Sequence, residues 1–136
     1  MDDVALTKRI CALLGTLDGW SWQPDGPAYS PTVVGVHYGP TKGPGRAVGV
    51  TVYATADVRH LSQRRVQLKH LGAPDDPKGA DALVDQSFPL LRDLCRWRGI
   101  LGASDRRTVP LGVDASRRQG RTENWLITLD TEEETP

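Results

Sequence analysis

The chain is 136 residues long, enough for one domain with one hydrophobic core, and its 38% hydrophobic and 25% charged residues are the composition of a globular protein, not of a disordered or fibrous one. Lys and Arg number 17 and Asp and Glu 17, so the formal net charge is zero and the basic balance usual in a nucleic-acid-binding module is missing. No apolar run approaches the roughly eighteen residues of a membrane span, and Met1-Asp2-Asp3 lacks the basic start of a secretion signal, so a soluble protein made in a cytoplasm is expected.

Leu6, Ile10, Leu13, Leu14 and Leu17 recur at helical spacing, with Gly15 and Gly19 near the end, which predicts an amphipathic helix over residues 3–16. Residues 20–31 are rich in Gly, Pro, Asp and Ser and carry Trp20, Trp22 and Tyr29; they read as an irregular connection with aromatic anchors, suited to covering a sheet edge. Residues 32–38 and 47–53 are β-branched and aromatic, and the Gly- and Pro-rich stretch 39–46 between them predicts a hairpin with a long tip. From Gln63 to Leu71 the chain alternates, with Arg65, Gln67 and Lys69 on one face and Val66, Leu68 and His70 on the other, the pattern of a half-exposed strand.

Residues 72–77 supply a turn, with Asp76 as the expected N-cap and Pro77 at the first helical position. Ala80, Leu83, Val84, Ser87, Phe88, Leu91, Leu94 and Cys95 then trace one stripe of a long helix, in which Pro89 leaves the Asp85 carbonyl without its helical partner and predicts a kink. Residues 100–111 and 122–129 read as two strands joined by the connection 112–121, ahead of a short acidic tail at 130–136. The expected architecture over 1–136 is a single α/β (α+β) domain: a mixed, mainly antiparallel sheet flanked by an N-terminal helix and one long helix. Its expected core is Leu6, Ile10, Leu13, Leu14, Val50, Val52, Val66, Leu68, Leu83, Val84, Phe88, Leu91, Leu94, Ile127 and Leu129. The stretches 39–46 and 112–121, long, glycine-containing and without apolar anchors, are expected to be mobile in the isolated subunit.

Motifs of chemistry are absent. The glycine-rich tip at 39–45 lacks the Gly-Lys-Ser/Thr ending of a phosphate loop, because Lys42 is followed by Gly43-Pro44. His37, His60 and His70 have no short ligand spacing and no Cys-x-x-Cys partner, which argues against zinc, and no cofactor is implied. Neither cysteine lies near a nucleophile signature and no Ser stands in a Gly-x-Ser-x-Gly elbow, so no enzymatic activity is expected. Cys11 and Cys95 each fall on an apolar stripe and read as small core hydrophobes.

The zero net charge hides an uneven distribution: residues 42–121 carry fifteen basic and eight acidic side chains, and the two ends together carry two basic and nine acidic. Such asymmetry steers a chain toward an acidic partner surface or toward copies of itself. Lys42, Arg46, Arg64, Arg65, Arg106, Arg107, Arg117, Arg118 and Arg121 form the candidate interface set, since Arg, Trp and Tyr are enriched at subunit interfaces. Asp2, Asp3 and Glu132 to Glu134 are the candidate acidic partners on a neighbour. The alternatives are a solvated or internally paired set, or arginines that contact nucleic acid. On the interface reading, reversing Arg117 and Arg118 to Glu blocks assembly and leaves the monomer's stability nearly unchanged.

The order of elements and four stretches resemble a phage family. Residues 46–53 (Arg-Ala-Val-Gly-Val-Thr-Val-Tyr), Arg65-Val66-Gln67-Leu68 through Pro74-Asp75-Asp76-Pro77, Val109-Pro110-Leu111-Gly112 with Asp114, and Arg121-Thr122-Glu123-Asn124-Trp125 resemble the tail terminator, or minor capsid, proteins of long-tailed bacteriophages, over most of residues 4–129. Segment 20–31 departs from that pattern. The resemblance implies a tail-terminator-like fold and a non-enzymatic virion protein at the head–tail interface, assembled in the host bacterial cytoplasm. It implies a homo-hexameric ring that caps the tail tube protein, stops tube growth and docks the head connector or stopper protein. Genomic DNA would pass through the lumen without specific binding, and no membrane is involved. A head-completion or connector protein of the same joining region, and a small nucleic-acid-binding accessory protein, are the alternative readings.

Overall fold

A computed structural model describes residues 1–26, 28–58, 61–94 and 97–130. His60, Cys95 and Glu132 to Glu134 lie outside the described residues. Helix α1 spans Asp3–Leu14; Asp2 caps it, its carboxylate accepting from the Ala5 N–H at 2.7 Å, and Gly15 ends it with its N–H on the Cys11 carbonyl. The helix buries Leu6, Ile10, Cys11, Leu13 and Leu14, the predicted stripe.

The sheet is mixed and six-stranded, built from β1 (Trp20–Trp22), β2 (Val34–Tyr38), β3 (Ala47–Val58), β4 (Leu61–Pro74), β5 (Ile100–Val113) and β6 (Arg118–Leu129) in the spatial order β1-β2-β3-β4-β6-β5. With α1 and α2 (Gly79–Arg92) it makes the predicted α+β fold. Pairing is antiparallel from β3 through β4 and β6 to β5, and parallel at β1–β2 and β2–β3.

Four local expectations are corrected. Residues 32–38 and 47–53 do not form a hairpin: β2 and β3 run parallel, with Gly35 opposite Ala47 and Tyr38 opposite Val50. Parallel neighbours ordinarily need a crossover of a dozen or more residues. Here the overlap is so short that residues 39–46 suffice to lead the chain back. The return path depends on Gly49, where a Cβ would sit 2.4 Å from the Gly39 carbonyl oxygen. The segment 20–31 is not wholly irregular, since Trp20–Trp22 pairs in parallel with β2 and forms the sheet edge instead of covering one. Tyr29 then lies over Gly35, its hydroxyl donating to the Val36 carbonyl and accepting from the Gln23 N–H.

The third correction concerns the connection 112–121. Strand pairing continues to Val113 opposite Gln119, which leaves a tight turn at residues 114–117. Asp114 builds it, accepting from the backbone N–H groups of Ser116 and Arg118, while Arg117 takes a left-handed φ of 60°. The start of the long helix also shifts: α2 begins at Gly79 with Lys78 as cap, and Asp76 instead accepts from the Lys78 N–H as a local turn. Gly72 and Gly79 let the end of β4 and the start of α2 touch, because a Cβ on Gly72 would meet the Gly79 Cα at 2.6 Å. The helix runs on through Pro89 to Arg92.

Both helices lie on one face of the sheet, as β4 demonstrates: Arg64 reaches Asp3 of α1, and six residues on, His70 reaches Ser87 of α2. Between them Val66 and Leu68 are fully buried, with Leu6, Ile10 and Leu14 from α1, Leu83 and Leu91 from α2, and Trp125, Ile127 and Leu129 from β6. Of the expected core residues, Val52 and Phe88 are only partly buried. The opposite face, which bears Arg65, Gln67, Asn124 and Leu126, is covered by neither helix and is half-exposed.

Candidate assembly surface

The most buried polar groups are not among the residues singled out for function. Glu123 is fully buried, as are His70 and Ser87. Ser87 Oγ donates to Glu123 Oε1 at 2.7 Å, His70 Nε2 lies 3.3 Å from the same oxygen, and Arg106 Nε donates to Oε2 at 3.0 Å. The Arg106 guanidinium also stacks 4.4 Å from the centre of the Phe88 ring, which in turn stacks on Trp125. Burial alone would raise the Glu123 carboxyl, but the hydrogen bonds from His70, Ser87 and Arg106 outweigh it and hold the group below its ordinary value. Ser, His and Glu here do not make a nucleophilic relay. Serine and carboxylate meet at the same ring nitrogen, Nδ1 has no partner among the described residues, and none of the three reaches solvent. The cluster ties β4, β6, α2 and β5 together. Its signal in the sequence is positional: His70 continues the face of Val66 and Leu68, and Glu123 continues that of Trp125, Ile127 and Leu129.

The nine candidate interface residues are mostly engaged within the subunit. Arg64 faces the core and is 5% exposed, with Nε donating to Asp3 at 2.5 Å and Nη1 to Asp57 at 2.8 Å and Ser62 at 2.7 Å. Asp3, proposed as an acidic partner on a neighbour, is thus already paired at home. Arg65 and Arg107 share Asp105, whose carboxyl is held below its usual value by those hydrogen bonds. Arg106 is held by Glu123, Arg117 pairs with Asp75, and Arg121 lies 3.5 Å from Asp81. Arg46 donates to the Thr32 carbonyl at 3.0 Å. With exposed Lys42 it lines an open cleft of about 470 Å³ that also takes in Trp22, Tyr29 and His37.

Arg118 goes against the expectation that reversing the 117–118 doublet leaves the subunit's stability unchanged. It is 8% exposed, pairs with Asp114 at 2.8 Å, and donates to the carbonyls of Gly43 and Gly45 at 3.0 and 2.8 Å. It thereby pins both stretches expected to move, 39–46 and 112–121, to each other. The isolated Arg118→Glu subunit is expected to lose about 2–4 kcal/mol, since a carboxylate would face Asp114 and two orphaned carbonyls. Arg117→Glu, at an exposed pair, is expected to change stability by less than about 1 kcal/mol. Urea unfolding of the two single variants measures both.

What the sheet leaves open is backbone. β2 pairs with β3 only as far as Val50, so Thr51–Val58 has no neighbour on that side among the described residues, and β5 forms the other edge along its whole length. Most of β5 is protected by the charges at 105–107, by Pro110 and by bulges around 105–106 and 111. Its first five residues, Ile100–Ser104, carry neither charge nor proline, their one irregularity being the bulge at Leu101. Register places this stretch level with the open part of β3. One row runs Thr55, Arg64, Ile127, Ala103, and the next runs Ala56, Gln63, Thr128, Gly102. At the same end Val58 and Leu61 on one side and Leu101 on the other are exposed apolar residues.

No protein-family model matches this chain, and a search of curated proteins finds no match to it.

Proposed function

We propose that this chain is a structural virion protein that caps the end of a phage tail tube, stops tube polymerisation and forms the interface to the head connector, acting as a hexameric ring. The observation that supports this reading best is where the resembling segments fall. Residues 46–53 lie largely on β3, 65–68 on β4, 109–112 on β5 and 121–125 on β6, so that four stretches scattered over the sequence become four adjoining strands. A closed ring also needs two different complementary surfaces on each subunit, and the open parts of β3 and β5 are two unlike edges of one sheet.

The partners on this reading are further copies of the chain, the tail tube protein, and the head connector or stopper protein; DNA crosses the lumen without specific contacts. The nucleic-acid alternative is disfavoured by the arginines, since Arg64, Arg65, Arg106, Arg107, Arg117, Arg118 and Arg121 are all matched by carboxylates within the subunit. Co-sedimentation separates the two. The protein is expected to pellet with assembled tail tubes and to bind duplex DNA weakly at physiological salt. Failure to pellet with tubes, together with a DNA affinity that falls steeply with salt, would replace the terminator reading by the nucleic-acid one.

A further inference from the structure

We infer that neighbouring copies join by antiparallel strand pairing of Ala54–Asp57 on one subunit with Gly102–Ser104 on the next, closed at one end by Val58 and Leu61 of the first against Leu101 of the second. This inference rests on the ring reading above and gives its interface.

Four observations converge on that contact. Both stretches are strand edges whose backbone groups have no partner on the outer side among the described residues, which is the usual template for a further strand. Both lack lysine and proline, the residues that guard natural edges, whereas the rest of β5 has charges, a proline and bulges. The one charge in the β3 stretch, Asp57, is already engaged by Arg64 and Ser62. Side chains along the two edges are small, with Ala54, Thr55 and Ala56 facing Gly102, Ala103 and Ser104, so two backbones can approach to strand spacing.

Height and direction agree as well. The rows of the sheet put Ala54 level with Ser104 and Ala56 level with Gly102 across β4 and β6. A ring axis that runs parallel to the strands carries one sheet edge to edge onto the next and preserves both height and strand direction. Within a subunit β3 and β5 point opposite ways, because three antiparallel pairings separate them. The incoming β5 therefore meets β3 antiparallel, the sense that a short backbone pairing tolerates best. The contact is heterologous, so it propagates from copy to copy until the ring closes. Charge pairing between arginines and a neighbour's acids is not needed for it.

Two kinds of variant test the pairing. Ala56→Lys and Gly102→Lys each place a charge on an open edge, and a side chain at Gly102 meets nothing within 4 Å, so thermal unfolding of the subunit should stay unchanged. Each is expected to weaken self-association, read by solution mass, by roughly tenfold or more. Separately, Ala56→Cys and Gly102→Cys proteins are prepared and oxidised alone and as a mixture, with the parent chain as control for Cys11 and Cys95. Covalent dimers are expected from the mixture and from neither alone. Dimers from Ala56→Cys alone would mean that like edges pair two-fold and would overturn the inference. A parent that forms rings while both lysine variants assemble normally and the mixture does not cross-link would overturn the pairing and leave the ring reading intact. A parent that stays monomeric both in solution and on tail tubes would overturn both.

Discussion

Replacing Glu123 by Ala is expected to destabilise the subunit by about 3–5 kcal/mol, because the fully buried carboxylate is the shared partner of His70, Ser87 and Arg106, and its removal leaves the buried His70 without it and the Arg106 guanidinium without its counter-ion. Denaturant unfolding at neutral pH measures this. Glu123→Gln keeps the shape and removes the charge, and so reports the pH dependence. The folded carboxyl titrates below its ordinary value of about 4.3, so its ionised form contributes stability that is complete above that value and is lost as the pH falls through the lower, folded value. The gap in stability between parent and Glu123→Gln is therefore expected to be constant from about pH 6 upward and to shrink below about pH 4. A gap that grew on acidification would mean that the carboxyl is raised in the folded state and that burial outweighs its three donors.

Leu91→Ala is the second large effect, expected at about 2–5 kcal/mol. Leu91 is 1% exposed and stands on α2 within the same apolar cluster as Val66, Leu68, Ile127 and Leu129. Truncation loses the transfer energy of its methyl groups and leaves a void between helix and sheet that the close-packed surroundings can only partly refill. A shift in urea unfolding below about 1 kcal/mol would place Leu91 outside the core.

Elements whose pattern is set by one burial partner were legible before the fold was known. The stripe of α1, the alternation of β4 and the apolar face of α2 each report a single helix-to-sheet contact, and Val66, Leu68 and His70 fall where the period-two pattern places them. What could not be read is what depends on distant neighbours. Two β-branched runs around a glycine- and proline-rich stretch look the same whether the strands run parallel or antiparallel. The parallel choice is fixed by Gly49 admitting the returning chain and by Arg118, far along the sequence, gripping Gly43 and Gly45. The order of the connection 112–121 comes from one aspartate bonding to backbone, which leaves no apolar signature in the sequence.

The pairing of the arginines within the subunit is hidden from the sequence for a related reason. Doublets on strands point to opposite faces, so Arg64 turns to the core and Asp3 while Arg65 turns to the open face and Asp105. A count of charges by segment cannot separate them. With those charges matched internally, what the described residues leave unpaired is sheet backbone, and the open part of β3 is visible only once β2 is seen to leave β3 after Val50.

Whether this protein caps tails is decided by electron microscopy of tail tubes incubated with the purified chain. A single ring of six subunits is expected at one end of each tube, with tubes that grow no further once capped. Tubes that keep elongating with bare ends, while the protein remains monomeric beside them, would contradict it.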